Sequence, residues 1–281
     1  MKDKQVKTEY NYLVLTDFSE ASYSALKYAI SLAKLIKGNI HVCHIANPSK
    51  IVNNDNQVAA IRDINSETKK IEKKIGAIVE MILTEGINAI PYCSIGNIIY
   101  EFEELTNQLK PDVVILGKKE ENPKLSGKIT SYLMNEYLGS LLIVKKDTVF
   151  QNGTKISVAC NNNTFDLYDP KLIFSLNNQT KLPLKLLNIK QKNDSNQKIT
   201  IPQTWRESSY EIDQSIQLEQ NTTIVESLLQ HITNNDTELL CIGRGKSRNY
   251  LQRIFSSSPS TLKDVVNKIH TPILVMGANP K

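Results

Sequence analysis

Cysteine is scarce: Cys43, Cys93, Cys160 and Cys241 stand far apart, each within an apolar, strand-like run. They form neither a CxxC pair nor a cluster with metal-ligand spacing, so they read as reduced core residues. Aromatic residues make up only 6% of the 281, and the net charge of +5 is spread along the chain without a basic block. A nucleic-acid surface calls for a basic stripe with interleaved aromatics, and that class is excluded. No apolar run approaches the roughly 18 residues of a membrane span, and Met1 to Tyr10 lacks the charged and then apolar pattern of a leader. The expectation is a cytoplasmic chain with no membrane contact. Catalytic patterns are missing as well: there is no GxSxG, HExxH or paired-carboxylate motif, and the expectation is no enzyme, slow nucleotide hydrolysis being left open. Of the four histidines, His41 and His44 lie three apart in a strand and point to opposite faces, which separates them as metal ligands. His231 and His270 fall at predicted helix ends, where a cation-capable ring is favourable for structural reasons.

What is present is alternation. Tyr12 to Thr16 reads as a strand, and an amphipathic helix follows with Leu26, Ala29, Leu32 and Ile36 on one face, Ser19 as its cap and Gly38 as its stop. Ile40 to Ile45 is a second strand, Asn47 to Gln57 a polar connection. A long helix near Ser66 to Gly86 carries Ile71, Ile75, Ile78 and Ile82. Then come a strand at Ile87 to Ile95, a helix opened by Asn97 and stopped by Pro111, a strand at Val113 to Leu116, a short helix near Thr130 to Leu138 and a last strand at Leu141 to Val144. Such βαβ alternation implies a mostly parallel sheet covered on both faces by helices. After a polar linker at Lys145 to Gly153 the pattern restarts. Ile156 to Cys160, a helix from Asp169-Pro170 bearing Leu172, Ile173 and Leu176, a strand at Leu184 to Ile189, then Leu239 to Gly243 and an edge strand within His270 to Val275 make an internal repeat. The polar stretch Gln191 to Ser215, which holds Trp205, fits no element.

Thr16-Asp17-Phe18-Ser19-Glu20-Ala21-Ser22, Asn39 to Ile45, Gly96 with Ile98 and Ile99, and Asp112 to Gly117 resemble, in order and spacing, the universal stress protein family across residues 9 to 146. The resemblance implies two Rossmann-like (adenine nucleotide alpha hydrolase-like) α/β domains with mostly parallel five-stranded sheets, residues 1–147 and 154–281, the second degenerate. It further implies pairing of the two domains through Leu141 to Val144 and Ile273 to Met276, with homodimer formation left open. By the same resemblance a nucleotide, ATP or ADP, would lie in the first domain against Asp17, Ile45, Leu116, Gly117, Thr130 and Ser131. In the family the phosphates are held by three glycines and a hydroxyl residue. Here Gly117 is followed by Glu120 and Thr130 where the other two glycines would stand. Lys118, Lys119, Lys124 and Lys128 lie in the same loop, which reads either as a solvated charged loop or as a phosphate site; Ser131 keeps the hydroxyl. Asp17 likewise reads either as a ligand group or as a turn residue helping Ser19 cap the helix. In the second half Asn161 replaces the acid, Lys246, Ser256 and Ser257 fall at the motif positions, or Pro259-Ser260 when counted back from Pro272, and Gly245-Lys246-Ser247 fails as a P-loop because its first glycine would be Leu240. The reading is therefore a tandem stress-response binding or scaffold protein with degraded phosphate loops, the alternative being an ATP/ADP sensor that uses the first domain only.

Overall fold

The structure, a computed structural model, describes residues 9–51, 56–118, 128–160, 168–190, 210–217, 224–243 and 260–277. The first half runs β1 (Tyr10–Leu15), α1 (Glu20–Ile36), β2 (Gly38–Ala46), α2 (Gln57–Thr84), β3 (Ala89–Ile95), α3 (Ile98–Leu109), β4 (Val113–Gly117), α4 (Lys128–Asn135) and β5 (Leu141–Val144). The second runs β6 (Ile156–Cys160), α5 (Lys171–Thr180), β7 (Leu184–Lys190), β8 (Tyr210–Gln217), α6 (Ile224–Asn234), β9 (Leu239–Gly243), α7 (Ser260–Lys268) and β10 (Ile273–Met276).

All ten strands join one sheet in the order β3-β2-β1-β4-β5-β10-β9-β6-β7-β8. Each half is parallel throughout, and the second repeats the strand order of the first. The halves meet where β5 and β10 pair antiparallel, with Ile143 beside Ile273 and Leu141 beside Val275. The sheet is thus continuous, and the strand expected at the edge of the second half sits at its centre. β1 and β4 are parallel neighbours, Val14 aligned with Ile115, so the chain reverses its direction of strand addition between them. That switch point opens a crevice at the carboxyl tips, where Thr16 and Gly117 end up side by side.

The strands are apolar because both faces are covered: Tyr12, Leu13 and Val14 of β1 and Val113 to Ile115 of β4 are fully buried. The face of α1 predicted from spacing is the buried one, Leu26, Ala29, Leu32 and Ile36 among it. Its stop differs from expectation. Lys37, with φ 40°, ends the helix, and Gly38 opens β2 instead, where a Cβ would come within 2.2 Å of the Tyr12 ring. The long helix α2 begins at Gln57 rather than near Ser66, because the Asn56 side chain accepts from the N–H of Val58 and caps a start nine residues earlier. In the stretch left unassigned by sequence, Tyr210–Gln217 is a strand, β8, parallel to β7 at the outer edge; Trp205 and the rest of 191–209 lie outside the described residues. Among the described residues no helix is long and apolar enough to cross a membrane.

Candidate functional site

The rim at the tips of β1, β2 and β4 gathers four of the six residues singled out by sequence: Asp17 follows β1, Ile45 is near the end of β2, and Leu116-Gly117 end β4. Asp17 is exposed, and its Oδ1 accepts from the N–H of Ser19 at 3.1 Å and from the Ser19 hydroxyl. Ser19 in turn caps α1, its Oγ accepting from the N–H of Ser22. The turn reading of Asp17 is therefore present in the structure: it holds the cap residue in place. Beneath it Thr16 Oγ1 accepts from the N–H of Phe18 at 3.1 Å and meets Ser22 Oγ at 3.1 Å, so the β1–α1 corner is built from four short hydroxyl and carboxylate side chains.

Gly117 is where the backbones of two elements come closest. A Cβ there would stand 1.8 Å from the carbonyl oxygen of Ala21 and 2.8 Å from the N–H nitrogen of Ser22. Only glycine lets the β4 tip lie against the first turn of α1 at that distance. Leu116, one residue earlier, is buried. Lys118, the first residue of the loop that the sequence reads as either a solvated charged loop or a phosphate site, is tied to the other half: its Nζ donates to the carbonyl oxygens of Val266 and Asn267, the latter at 2.7 Å. Those carbonyls belong to the last turn of α7, where an ammonium satisfies orphan acceptors and meets the negative end of the helix dipole. Lys119, Glu120 and Lys124 lie outside the described residues. Lys128 opens α4 and is exposed; Thr130 is half-buried, and Ser131 is exposed with its hydroxyl accepting from Asn135 one turn on. α4 faces α3 through Tyr132, which donates to Glu103 at 2.6 Å.

Ile45 faces a different space. Together with Cys43, Tyr92, Ser94, Glu101 and Leu105 it lines an open hollow of about 470 Å³ between β2, β3 and α3. Cys93 is on the same hollow and is exposed, which corrects the expectation that all four cysteines are core residues: β3 is the edge strand and only half of its face is covered. Cys43 and Cys241 are buried as expected.

Sequence reasoning missed a stack above the β1 tip. Phe18, at φ 61°, lies on the His44 ring with centroids 4.6 Å apart, and Lys74 of α2 brings its ammonium 5.1 Å from the Phe18 centroid. His44 Nδ1 is 2.7 Å from the carbonyl oxygen of Thr16, which makes Nδ1 the protonated, donating nitrogen. The β-branched and aromatic periodicity of β2 gave no hint of this contact, because its partners come from three separate elements.

In the second half, the tip of β9 is arranged differently. A Cβ on Gly243 would meet the ring of the buried Tyr168 at 1.9 Å, so a side chain occupies the place that α1 backbone takes at Gly117. Asn161, Gly245, Lys246, Ser247, Ser256, Ser257 and Pro259 lie outside the described residues. Among the described residues no group of three or more His, Cys, Asp or Glu side chains is placed to hold a metal ion.

The profile of the universal stress protein family matches residues 11–145. No curated protein sequence matches the chain. The fold is similar to that of a universal stress protein from Archaeoglobus fulgidus DSM 4304 (TM-score 0.68, 16% identity, covering 96% of this chain and 97% of that one). It is also similar to a protein of unknown function from Pseudomonas aeruginosa PAO1 (TM-score 0.55, 14% identity, covering 95% and 92%). Both likenesses extend over the two halves, and at these identities they speak for the fold. Over residues 11–145, a little under half of its length, the chain is similar to the universal stress protein family.

Proposed function

We propose that the chain is a tandem universal stress protein, with domains at 1–147 and 154–281, that serves the stress response as a binding or scaffold protein and turns over no substrate. The observation that carries this reading is Lys118. The first basic residue of the loop that would face phosphates is engaged with the end of α7 in the other half, and Gly117 before it is in contact with α1 backbone. What supports it further is the replacement of the second and third loop glycines by Glu120 and Thr130. A carboxylate within about 5 Å of a phosphate is repelled by several kcal/mol once solvent is excluded. The cytoplasm is the expected compartment.

A second reading has its own support: Asp17 and Gly117 share one rim at the switch point of the first half, the place where a parallel sheet of this order takes ligands. On this reading the first domain is an ATP or ADP sensor. Titration calorimetry of the whole protein with ATP and with ADP, repeated on Asp17→Ala, separates the two. Micromolar affinity lost in the variant makes the chain a sensor; no heat at millimolar nucleotide leaves the scaffold.

A further inference from the structure

β3 is an outer strand of the sheet, and its ladder with β2 fixes which of its backbone groups are engaged. Ile40 donates to the carbonyl oxygen of Asn88 at 2.9 Å and Gly96 to that of Ala46 at 3.0 Å, so the even-numbered residues from 88 to 96 turn their N–H and C=O groups toward β2. These directions alternate along a strand, which turns the groups of Ala89, Pro91, Cys93 and Ile95 outward. Pro91 stands where its missing N–H costs the ladder nothing. Beyond it the edge has no such protection: the outward groups of Cys93 and Ile95 bond to no described residue, and residues 92–95 carry no charge. Beside this stretch opens the hollow between β2, β3 and α3, lined on that side by Tyr92 and Ser94. Its floor is apolar, with Cys43, Ile45 and Leu105, and its rim is acidic. Ser94 donates to Glu101 and holds that carboxylate in place, and Glu104 stands one turn further along α3. No Lys, Arg or His lines the hollow, and among the described residues neither carboxylate has an ion-pair partner, in a chain whose net charge is +5.

We infer that the edge at Cys93 and Ile95 and the acidic hollow form one docking site for an extended segment of another protein, which adds to β3 as a further strand and places a lysine or arginine side chain in the hollow. The two parts of the site select two features of that partner. Outward N–H and C=O groups are satisfied by an extended backbone, and alternate residues of an added strand project to the face that carries Tyr92 and Ser94, where the hollow lies. There the apolar floor takes the methylenes of a long basic side chain, and the carboxylates take its head. A second copy of this chain does not fit. Antiparallel pairing of β3 with its own copy, about an axis normal to the sheet, would bring two acidic hollows together on one face, like charge against like. The inference rests on the scaffold reading in that the chain acts by binding a partner, but it uses neither crevice.

The test is a titration of the ¹⁵N-labelled full chain with the capped peptide acetyl-Thr-Val-Arg-Val-Thr-amide, followed by amide NMR. The wild type should bind with a dissociation constant of about 0.1–1 mM and show its largest shifts at Cys93 and Ile95. The same peptide with Glu in place of Arg, and arginine amide alone, should each bind at least about tenfold more weakly, and the Arg peptide N-methylated throughout should not bind. Glu101→Gln with Glu104→Gln should weaken the Arg peptide at least about tenfold. Cys93→Pro should abolish binding while keeping every bond to β2, because the N–H it removes points outward; if that variant fails to fold, the N-methylated peptide asks the same question. Three results overturn the site: no shift at Cys93 and Ile95 at about 5 mM peptide, an N-methylated peptide that binds as well as its parent, or arginine amide as tight as the peptide, which would make the hollow a small-cation site. Failure of the peptide leaves the nucleotide titration untouched, and micromolar nucleotide binding would overturn the scaffold reading while the peptide shifts stood.

Discussion

Replacing Gly117 by alanine tests whether the β4 tip is seated against the start of α1. The new methyl would begin 1.8 Å from the Ala21 carbonyl oxygen and 2.1 Å from its carbon, against 3.4 Å for ordinary contact. One of the two elements must therefore withdraw by about 1.6 Å, and neither obstacle is a side chain that could turn aside. Overpacking relieved by side chains costs about 1–3 kcal/mol, so a clash with hydrogen-bonded backbone belongs at the top of that range. Moving the first turn also loosens the Ser19 cap, worth about 1 kcal/mol. A loss of about 3–4 kcal/mol lowers the melting temperature by roughly 6–16 °C for domains of this size. The control is Gly76→Ala in the middle of α2, where a Cβ meets nothing within 4 Å. There the same substitution should stabilise by about 0.5–1 kcal/mol through helix propensity alone. Circular dichroism melts of both variants read the outcome. If Gly117→Ala melts within a degree of wild type, α1 does not rest on β4 and the account of the rim is wrong.

Three further outcomes are expected. Lys118→Met leaves the last carbonyls of α7 without their donor and should cost about 1–2 kcal/mol, seen as earlier loss of the α7 amides from hydrogen-exchange protection than of those in α1. Tyr28→Phe removes a buried hydroxyl that has no hydrogen-bond partner among the described residues, so urea denaturation should show the variant as stable as wild type or up to about 1 kcal/mol more so; a clear loss would reveal a bond to that oxygen. Burial pushes the Cys43 thiol up to about 12 from 9.0, and burial raises Cys241 as well. Because the folded chain keeps those protons longer than the unfolded one, stability is full below pH 9 and falls as pH rises toward 12. Urea midpoints across that interval should decline less steeply for Cys43→Ala than for wild type.

Much of the architecture could be read from short apolar runs. Leu141–Val144, Ile156–Cys160 and Leu239–Gly243 stand where their composition put them, and Ser19 and Asn97 cap the helices they precede. Strands buried on both faces announce themselves as unbroken hydrophobic runs, and a capping side chain acts within three residues of its own position. What escaped depends on partners distant in sequence or on burial that is absent. The first half of α2 has no buried face from which a period could be taken, and β8 is a polar edge strand. Lys118 meets carbonyls 148 and 149 positions away, and nothing local to Gly117-Lys118-Lys119 distinguishes a strut between halves from a phosphate ligand. At the site, the rim positions of Asp17, Ile45 and Gly117 followed from strand order, whereas the Phe18–His44–Lys74 stack required three elements to be folded first.

The antiparallel joint between β5 and β10 has a directional consequence. Every strand of the first half points its carboxyl end toward one margin of the sheet, and every strand of the second half points the opposite way. The two switch points therefore open on opposite margins, and the margin that carries Asp17 and Gly117 is the same one at which α7 finishes, which is why a lysine from β4 can reach it. A molecule lodged at one crevice is remote from the other, so any influence between them must travel across β4, β5, β10 and β9, the middle two of which are only four residues long.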